Sequence, residues 1–350
     1  MQNLTKHKFN TTGYSILDNV LNKLVWEPLV LTFPKSLAPN TVTVFGFLFM
    51  LFSYLAMLPS DHTFTFAPPA GVLIFSAFAQ FMYQTLDACD GKQARRLGLS
   101  SPLGMLMDHG CDALSCTIIV LTVMQGLALG FDYEMLSLLA IAHTGFFLAQ
   151  WEEYHTHYHR THMFSWGVTE AQWTNITLLL LTATYTQKIW LTDVYGWPLR
   201  TILVYANAGW GINLSALMIL NTISKTKPLE PLLRLIPMLM LDLSLYLWFI
   251  NPLTLTYGPL ILLMHGLIFA ELNSKLIICS SAIMKFGWFH LDIFIELLFL
   301  IEDTYFKVLP SEVTFFILSM FIAYRYCSFV LTVVGQLTSY LKISVFSVNK

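Results

Sequence analysis

The sequence predicts an all-α polytopic membrane protein with about ten transmembrane helices. Of its 350 residues, 56% are hydrophobic and only 11% are charged, whereas an average soluble protein carries roughly 25% charged residues. The mean hydropathy is +0.62, and long apolar segments alternate with short polar stretches. These features exclude a soluble globular enzyme and a disordered chain. The net charge of −2 provides no basic surface for nucleic acid.

The apolar segments follow one another from residue 41 to residue 341. Because a bilayer crossing takes about 20 mostly apolar residues, we place the spans at Thr41–Pro59, Ala70–Ala88, Leu103–Leu129, Met135–Trp151, Ala171–Tyr185, Ile202–Ser224, Leu229–Ile250, Leu253–Leu272, Phe289–Ile301 and Val313–Leu341. The ninth span is short and needs some of the residues before it. No long flexible or highly charged linker interrupts the chain. Residues 1–350 are therefore expected to form one membrane domain, with three spans in 41–129 and the others in 135–341.

Residues 14–34 predict an amphipathic helix that lies in the membrane interface. One helical face carries Ile16, Leu17, Val20, Leu21 and Leu24, and the opposite face carries Asp18, Asn19, Asn22 and Lys23. A helix that packs on the protein's own surface has the same pattern and stays open as an alternative.

Positive charge is concentrated on one side of the predicted spans. If the N-terminus is cytosolic, the cytosolic segments hold Lys6, Lys8, Lys23, Lys35, Lys92, Arg95, Arg96, Arg160, Lys225, Lys227, Lys275, Lys285, Lys342 and Lys350. The other side holds Lys188, Arg200 and Lys307. Because loops rich in lysine and arginine stay in the cytosol, we expect both termini and the loop between the second and third spans to face it.

Four carboxylates crowd around that loop. Asp87 and Asp90 are three residues apart at the end of the second span, and Asp108 and Asp112 are four apart near the start of the third. These spacings place each pair on one helix face, and an antiparallel helix pair brings all four toward one point at the membrane edge. Because ionisable groups in membrane spans are costly and commonly functional, this point is the predicted active site.

The four acids predict a site for divalent cations. Like charges in a poorly solvated place cannot all stay ionised unless cations compensate them, and oxygen-only ligands favour Mg²⁺ or Mn²⁺. Four carboxylates are enough for two ions, which suits displacement at phosphorus. The alternative is that the acids pair with Lys92, Arg95 and Arg96, but three cations cannot neutralise four buried acids.

The same residues form a recognisable motif. It reads Asp87-x2-Asp90-Gly91-x2-Ala94-Arg95-x8-Gly104-x3-Asp108-x3-Asp112, and it resembles the signature of the CDP-alcohol phosphotransferase family in every fixed position. The segments YQTLDACDGKQARR and SSPLGMLMDHGCD are similar to the eukaryotic choline/ethanolamine phosphotransferase branch. The resemblance extends over nearly the whole chain, from SLAPNTVTVFGF at the first span to RYCSFVLTVVGQL in the last.

The resemblance implies a reaction and a role for each residue of the motif. CDP-choline or CDP-ethanolamine would donate its phospho-alcohol group to the hydroxyl of diacylglycerol, giving phosphatidylcholine or phosphatidylethanolamine and CMP. Asp87, Asp90, Asp108 and Asp112 would hold two divalent ions, and Asp112 would also be the general base. The nucleotide site would be formed by Asn40, which reaches the pyrophosphate, and by Gly91, Ala94, Arg95 and Gly104.

A second polar segment, WEEYHTHYHRTH, follows the fourth span. On a helix, His155, His159 and His162 would share a face and could hold zinc, although no cysteine accompanies them. An acid of this segment or His155 could instead orient or deprotonate the acceptor, so His155 is the alternative candidate for the base. The simplest interpretation is a solvated helix end.

Other functions stay open at this level. A cation transporter or channel also needs acids in the membrane, but it would distribute them over several spans near the midplane. An inactive relative would lose its metal ligands, and a related transferase could use another alcohol or lipid acceptor. The sequence leaves undetermined the headgroup, the diacyl or ether-linked acceptor, the organelle (endoplasmic reticulum or Golgi expected) and the assembly, for which a homodimer is one candidate.

Overall fold

A computed structural model describes residues 13–158, 162–163 and 166–348. Its main elements are α1 (Ile16–Leu21), a π-helical turn (Asn22–Trp26), α2 (Glu27–Thr32), α3 (Pro39–Met57), α4 (Ala70–Leu97), α5 (Pro102–Gly126), α6 (Tyr133–Thr156), α7 (Val168–Tyr185), α8 (Leu199–Lys225), α9 (Leu229–Leu233), α10 (Ile236–Ile250), α11 (Leu253–Ala282), α12 (Leu291–Ile301) and α13 (Ser311–Leu341). Helices α3–α8 match the first six predicted spans, α9 and α10 together match the seventh, and α11–α13 match the last three. The predicted all-α polytopic membrane fold is confirmed.

Within the part of the chain that the structure describes, six helical segments are long and apolar enough to cross a membrane by length and composition alone. They are α3, α5, α8, the α9–α10 segment, α11 and α13. The other four matches, α4, α6, α7 and α12, are shorter or more polar. Within the described ranges the strands form two small antiparallel ribbons, β1 (His162–Met163) with β2 (Trp166–Gly167) and β3 (Asp193–Val194) with β4 (Trp197–Pro198).

Helix α4 extends beyond its predicted span and absorbs most of the predicted loop. It ends at Leu97, where Gly98 adopts a left-handed backbone with a φ of 66°, a conformation that glycine reaches at little cost. The connection to α5 is therefore only residues 98–101, and Ser101 caps α5 by accepting a hydrogen bond from the amide of Gly104. Both carboxylate pairs consequently stand on helices.

The loops gather at two ends of the bundle. At one end, Asn40 Nδ2 donates to the Val345 carbonyl at 2.9 Å and Tyr154 Oη donates to the Met284 carbonyl at 3.0 Å. This end carries most of the described lysines and arginines of the predicted cytosolic loops. We call it the charged end; it comprises residues 33–38, 98–101, 226–228, 283–290 and 342–348 and the helix ends beside them.

The opposite end joins the remaining loops. The amide of Gly130 donates to the Phe64 carbonyl at 2.8 Å, and the amide of Ala67 donates to Gln187 Oε1 at 2.6 Å. Successive loops thus alternate between the two ends, as consecutive antiparallel helices require.

Asp61 organises the loop between α3 and α4 at this opposite end. Its carboxylate accepts backbone hydrogen bonds from Thr63, Thr65 and Phe66 at 2.8–2.9 Å. Partial burial alone would raise the pKa of the Asp61 carboxyl, but hydrogen bonds from Thr63, Phe66 and Thr65 outweigh burial and lower the pKa to about 2. The carboxylate therefore stays ionised at neutral pH and holds the loop closed.

Glycines lie where the helices near the carboxylate pairs pack against one another. A Cβ at Gly46 of α3 would lie 3.4 Å from Leu86 Cβ of α4, and a Cβ at Gly266 of α11 would lie 2.6 Å from Thr117 Cγ2 of α5. At Gly266, α11 can approach α5 this closely only because glycine has no side chain, whereas a Cβ at Gly46 would make an ordinary van der Waals contact.

An ion-pair network joins the last three helices. Arg325 Nε of α13 lies 3.1 Å from Asp292 Oδ1 of α12, and Lys275 Nζ lies 2.5 Å from Glu271 Oε1 within α11. The two carboxylates are buried. Two cations thereby compensate two acids, as buried charges require.

The N-terminal helical stretch packs on the bundle and also exposes apolar side chains. Leu21, Trp26 and Val30 are buried against α4 and α7, and Asn22, which the sequence assigned to the polar face, is buried with them. Ile16, Val20 and Leu24 remain 65%, 46% and 68% exposed. The helix therefore has both a packed face and an apolar outer face, and its insertion into the membrane interface stays a prediction.

Candidate active site

Three of the four predicted carboxylates converge at the charged end. Asp87, Asp90 and Asp108 each offer one oxygen, and these oxygens all lie within 4.8 Å of one another. Asp90 is buried and the other two are half-buried. Oxygens at this spacing are within the range that a single divalent ion can bridge. Among the described residues, this carboxylate cluster is where a metal ion fits.

Local sequence explains the convergence. Asp87 and Asp90 share a face of α4, and Asp108 lies in the second turn of α5, which runs antiparallel after a short connection. Burial and mutual repulsion both disfavour three adjacent carboxylates in ionised form, so the cluster favours the binding of a cation.

Asp112 lies one helical turn beyond Asp108 and has different partners. Tyr83 Oη donates to Asp112 Oδ1 at 2.6 Å, and His109 Nδ1 lies 3.5 Å from Asp112 Oδ2. One oxygen is thus held by a phenol and the other faces an imidazole. A carboxylate oriented in this way can accept a proton from a hydroxyl group that reaches it.

A hydroxyl from α3 orients the buried member of the cluster. Thr43 Oγ1 donates a short hydrogen bond to Asp90 Oδ2. The partners of metal-binding carboxylates set the direction in which their free oxygens point. Thr43 therefore ties the start of α3 to the carboxylate cluster.

The predicted nucleotide residues fall into neighbouring pairs. A Cβ at Gly104 would lie 3.4 Å from Asn40 Oδ1, and a Cβ at Gly91 would lie 3.4 Å from Arg95 Nη1. Asn40 is thus brought to the first turn of α5, and the Arg95 guanidinium folds back along α4 over Gly91. Ala94 is half-buried in the same stretch of α4.

His155 has aromatic neighbours on its own helix. Its ring centroid lies 5.2 Å from that of Trp151 and 4.8 Å from that of Tyr154. The helix ends at Thr156, and His157 adopts a left-handed backbone with a φ of 57°. Because the helix ends at Thr156 and His162 lies in strand β1, the expectation that His155 and His162 share one helix face is wrong. His159 lies outside the described residues, and only the backbone of His162 is described.

Three residues of the site were not predicted from the sequence. Tyr83 and His109 contact Asp112, and Thr43 contacts Asp90. Tyr83 precedes Asp87 by one helical turn and Thr43 follows Asn40 by three residues, so helical spacing places both on the faces of predicted residues but does not indicate which carboxylate each contacts. His109 lies between Asp108 and Asp112, at a position that the motif leaves variable.

A model of the CDP-alcohol phosphatidyltransferase family matches residues 36–212, which include the carboxylate cluster and Asn40. The chain belongs to this family. The resemblance read from the motif is thereby confirmed, and the chain is an enzyme of the transferase class. The family's reaction displaces a group at phosphorus, and a divalent ion held by the carboxylate cluster would assist that chemistry.

Relatives within the family align over nearly the whole chain or over about half of it. Cholinephosphotransferase 1 of Xenopus laevis is 30% identical over 371 residues, which cover 100% of this chain and 90% of the Xenopus protein. A Dictyostelium discoideum protein described as an uncharacterized CDP-alcohol phosphatidyltransferase class-I family protein 1 is 29% identical over 371 residues, covering 99% of this chain and 93% of its own. Choline/ethanolaminephosphotransferase 1 of Saccharomyces cerevisiae is 35% identical over 197 residues, covering 56% of this chain and 50% of the yeast protein.

Thr43→Val is predicted to weaken divalent-ion binding roughly ten-fold, the lower end of the range for losing a partner of a metal ligand. The valine keeps the shape of the side chain but removes the hydrogen bond to Asp90. Mn²⁺ binding to detergent-purified protein, followed by electron paramagnetic resonance, measures the change. Thr43→Ser is the control and should bind Mn²⁺ like the wild type. Equal affinity in the valine variant would show that the hydroxyl does not orient Asp90.

Proposed function

We propose that this chain transfers phosphoethanolamine, phosphocholine or both from a CDP-alcohol to diacylglycerol. The products are phosphatidylethanolamine or phosphatidylcholine, and CMP. The observation that carries the proposal is the carboxylate cluster of Asp87, Asp90 and Asp108 at one end of a membrane bundle, with Asp112 a turn further along α5. The printed names of the Xenopus and yeast relatives support this choice of substrates.

The carboxylate cluster is the proposed metal site. Asp87, Asp90 and Asp108 would hold one ion, and Asp112 would complete the ligand set for a second. Oxygen-only ligands select Mg²⁺ or Mn²⁺. When bound, the ions would neutralise the donor's pyrophosphate and the charge that develops on the departing CMP.

The nucleotide is proposed to bind beside the carboxylate cluster. Gly91, Ala94 and Gly104 expose helix backbone that a cytidine or phosphate group can approach closely. Arg95 would contact the phosphates with its guanidinium. The side-chain amide of Asn40, next to Gly104, would reach the pyrophosphate.

Asp112 is the proposed general base. In the transfer, the glycerol hydroxyl oxygen forms a bond to the phosphorus that carries the alcohol, and the bond from that phosphorus to the oxygen of CMP breaks. The hydroxyl proton passes to Asp112, whose carboxylate is oriented by Tyr83 and His109. His155 is the alternative base, and its aromatic neighbours on α6 give it no comparable orientation.

The proposed site lies at the boundary between the bilayer and water. The lipid acceptor would enter sideways from the bilayer, and the CDP-alcohol would enter at the charged end from water. By the positive-inside rule the charged end faces the cytosol, in the membrane of the endoplasmic reticulum or the Golgi.

The first experiment supplies purified protein in lipid nanodiscs with diacylglycerol and either labelled CDP-choline or labelled CDP-ethanolamine. Product with at least one donor is expected, excess EDTA should abolish it, and Mg²⁺ or Mn²⁺ should restore it. Heat-treated protein is the control. No product with either donor, but product with another CDP-alcohol, would overturn the proposed substrates while keeping the family reaction. Full activity in excess EDTA would overturn the metal site.

Asp112→Asn is expected to lower the transfer rate by roughly 10²–10⁴-fold, the range for loss of a general base. CDP-alcohol binding, measured by calorimetry, should survive because the cluster of Asp87, Asp90 and Asp108 is intact. Asp87→Asn should instead weaken nucleotide binding and transfer together.

His155→Ala is the matched control for the base assignment. If it reduces transfer as strongly as Asp112→Asn while nucleotide binding is unchanged, then His155 is the base and Asp112 is only a ligand.

Cysteine labelling in sealed microsomes measures the orientation. The background is Cys327→Ser, which removes the exposed native cysteine. Ser100→Cys, in the exposed turn after α4, should react with an impermeant maleimide added from the cytosolic side. His62→Cys, exposed at the opposite end, should react only after the membrane is permeabilised. The reversed pattern would place the charged end in the lumen.

A further inference from the structure

Residues 33–38 connect the N-terminal helical stretch to α3 and determine where α3 begins. The first turns of α3 carry Asn40, which faces Gly104, and Thr43, which donates to Asp90. A displacement of this connection would therefore move both side chains away from the carboxylate cluster. The groups that hold residues 33–38 in place therefore affect the geometry of the active site.

Arg96 holds the end of α2 just before this connection. Its Nη1 donates to the carbonyls of Val30 at 2.8 Å and Phe33 at 2.9 Å, and its Nη2 donates to the carbonyl of Leu31 at 3.3 Å. The last carbonyls of a helix lack intrahelical donors, and a cation stabilises the negative end of the helix dipole. Arg96 thus caps α2 from the neighbouring helix α4.

Gln93 holds the connection itself. Its buried amide nitrogen donates to the carbonyls of Pro34 and Leu37, both at 3.1 Å, and its amide oxygen accepts from Arg96 Nη1 at 3.2 Å. Gln93 and Arg96 lie one turn apart on α4 and bind each other as well as the chain segment in front of them. We call these two side chains the Gln93–Arg96 clamp.

The clamp stands on the helix that carries two of the metal-binding carboxylates. Asp90 precedes Gln93 by three residues, so one rigid segment of α4 presents Asp90 toward Thr43 and the clamp toward residues 30–37. The adjacent arginines have different partners. Arg95 lies over Gly91 at the nucleotide residues, whereas the described hydrogen bonds of Arg96 run to backbone carbonyls and to Gln93.

We propose that the Gln93–Arg96 clamp positions Asn40 and Thr43 for binding of the metal and the CDP-alcohol. Arg96 is a positioning residue and contacts neither ligand. The CDP-alcohol part of this inference rests on the proposed function, whereas the metal part does not.

Arg96→Gln tests the clamp, with Lys35→Gln as the matched control. Lys35 is an exposed residue of the same connection, so its replacement removes the same charge without touching the clamp. In Arg96→Gln, Mn²⁺ affinity should fall about ten-fold and the KM for the CDP-alcohol should rise about ten-fold, while kcat at saturating metal and donor changes less than about three-fold. Amide hydrogen exchange of residues 31–40 should accelerate. Lys35→Gln should stay within about two-fold of the wild type in each measurement.

The outcomes separate three roles for Arg96. A raised KM with unchanged Mn²⁺ affinity and unchanged exchange at residues 31–40 would mean that Arg96 contacts the donor phosphates, which overturns the proposal. A lower melting temperature with unchanged affinities would mean a purely structural role and would overturn it equally. Arg96→Lys keeps the charge but cannot span three carbonyls; it should show an intermediate loss and serves if the glutamine variant does not fold.

Failure of the proposed function is distinguishable from failure of the clamp. If the proposed function is wrong, the wild type will transfer no phospho-alcohol. Mn²⁺ affinity and amide exchange can still be compared between Arg96→Gln and Lys35→Gln. Equal values for these two variants would overturn the clamp whatever the enzyme's substrate.

Discussion

Mutual repulsion among carboxylates at the end of a membrane bundle is the constraint on which this structure depends. Asp87, Asp90 and Asp108 have oxygens within 4.8 Å of one another, in surroundings where water compensates charge poorly. Such a group stays ionised only if cations compensate it, and neighbouring donors set the direction of its free oxygens. The close packing of α3, α4 and α5 around the cluster serves this requirement.

Helix α4 contributes to both requirements, because it carries two of the carboxylates and also binds the chain segment before α3. Asp87 and Asp90 contribute to the carboxylate cluster, and Gln93 and Arg96, which follow at the same three-residue spacing, bind the connection to α3 and the end of α2. The last turns of α4 therefore contain a ligand-binding part followed by a scaffold-binding part. Because residues three apart are offset by about 60° in a helix of 3.6 residues per turn, the direction of these side chains changes gradually from the cluster to the connection.

The helices that follow α5 stabilise the part of the bundle that carries the site. Helix α11 approaches α5 at Gly266, and its Glu271 and Lys275 join Asp292 and Arg325 in an ion-pair network across α12 and α13. Pairing these charges removes the cost of isolated ions in the membrane. The resulting rigidity favours a site whose reaction relies on positioning rather than on covalent chemistry.

The sequence by itself determined the membrane class, the order of the ten predicted helical segments and the three carboxylates that converge, because hydropathy and residue spacing along one helix are local properties. It could not show that α4 continues through Gly91 to Leu97, since a glycine and a charged stretch also suit a loop. Nor could it show that Tyr83 and His109 contact Asp112, that Thr43 contacts Asp90, or that Arg96 binds the end of α2. Those contacts depend on how helices lie against one another, and only the tertiary structure, by choosing which helix faces meet, decided them.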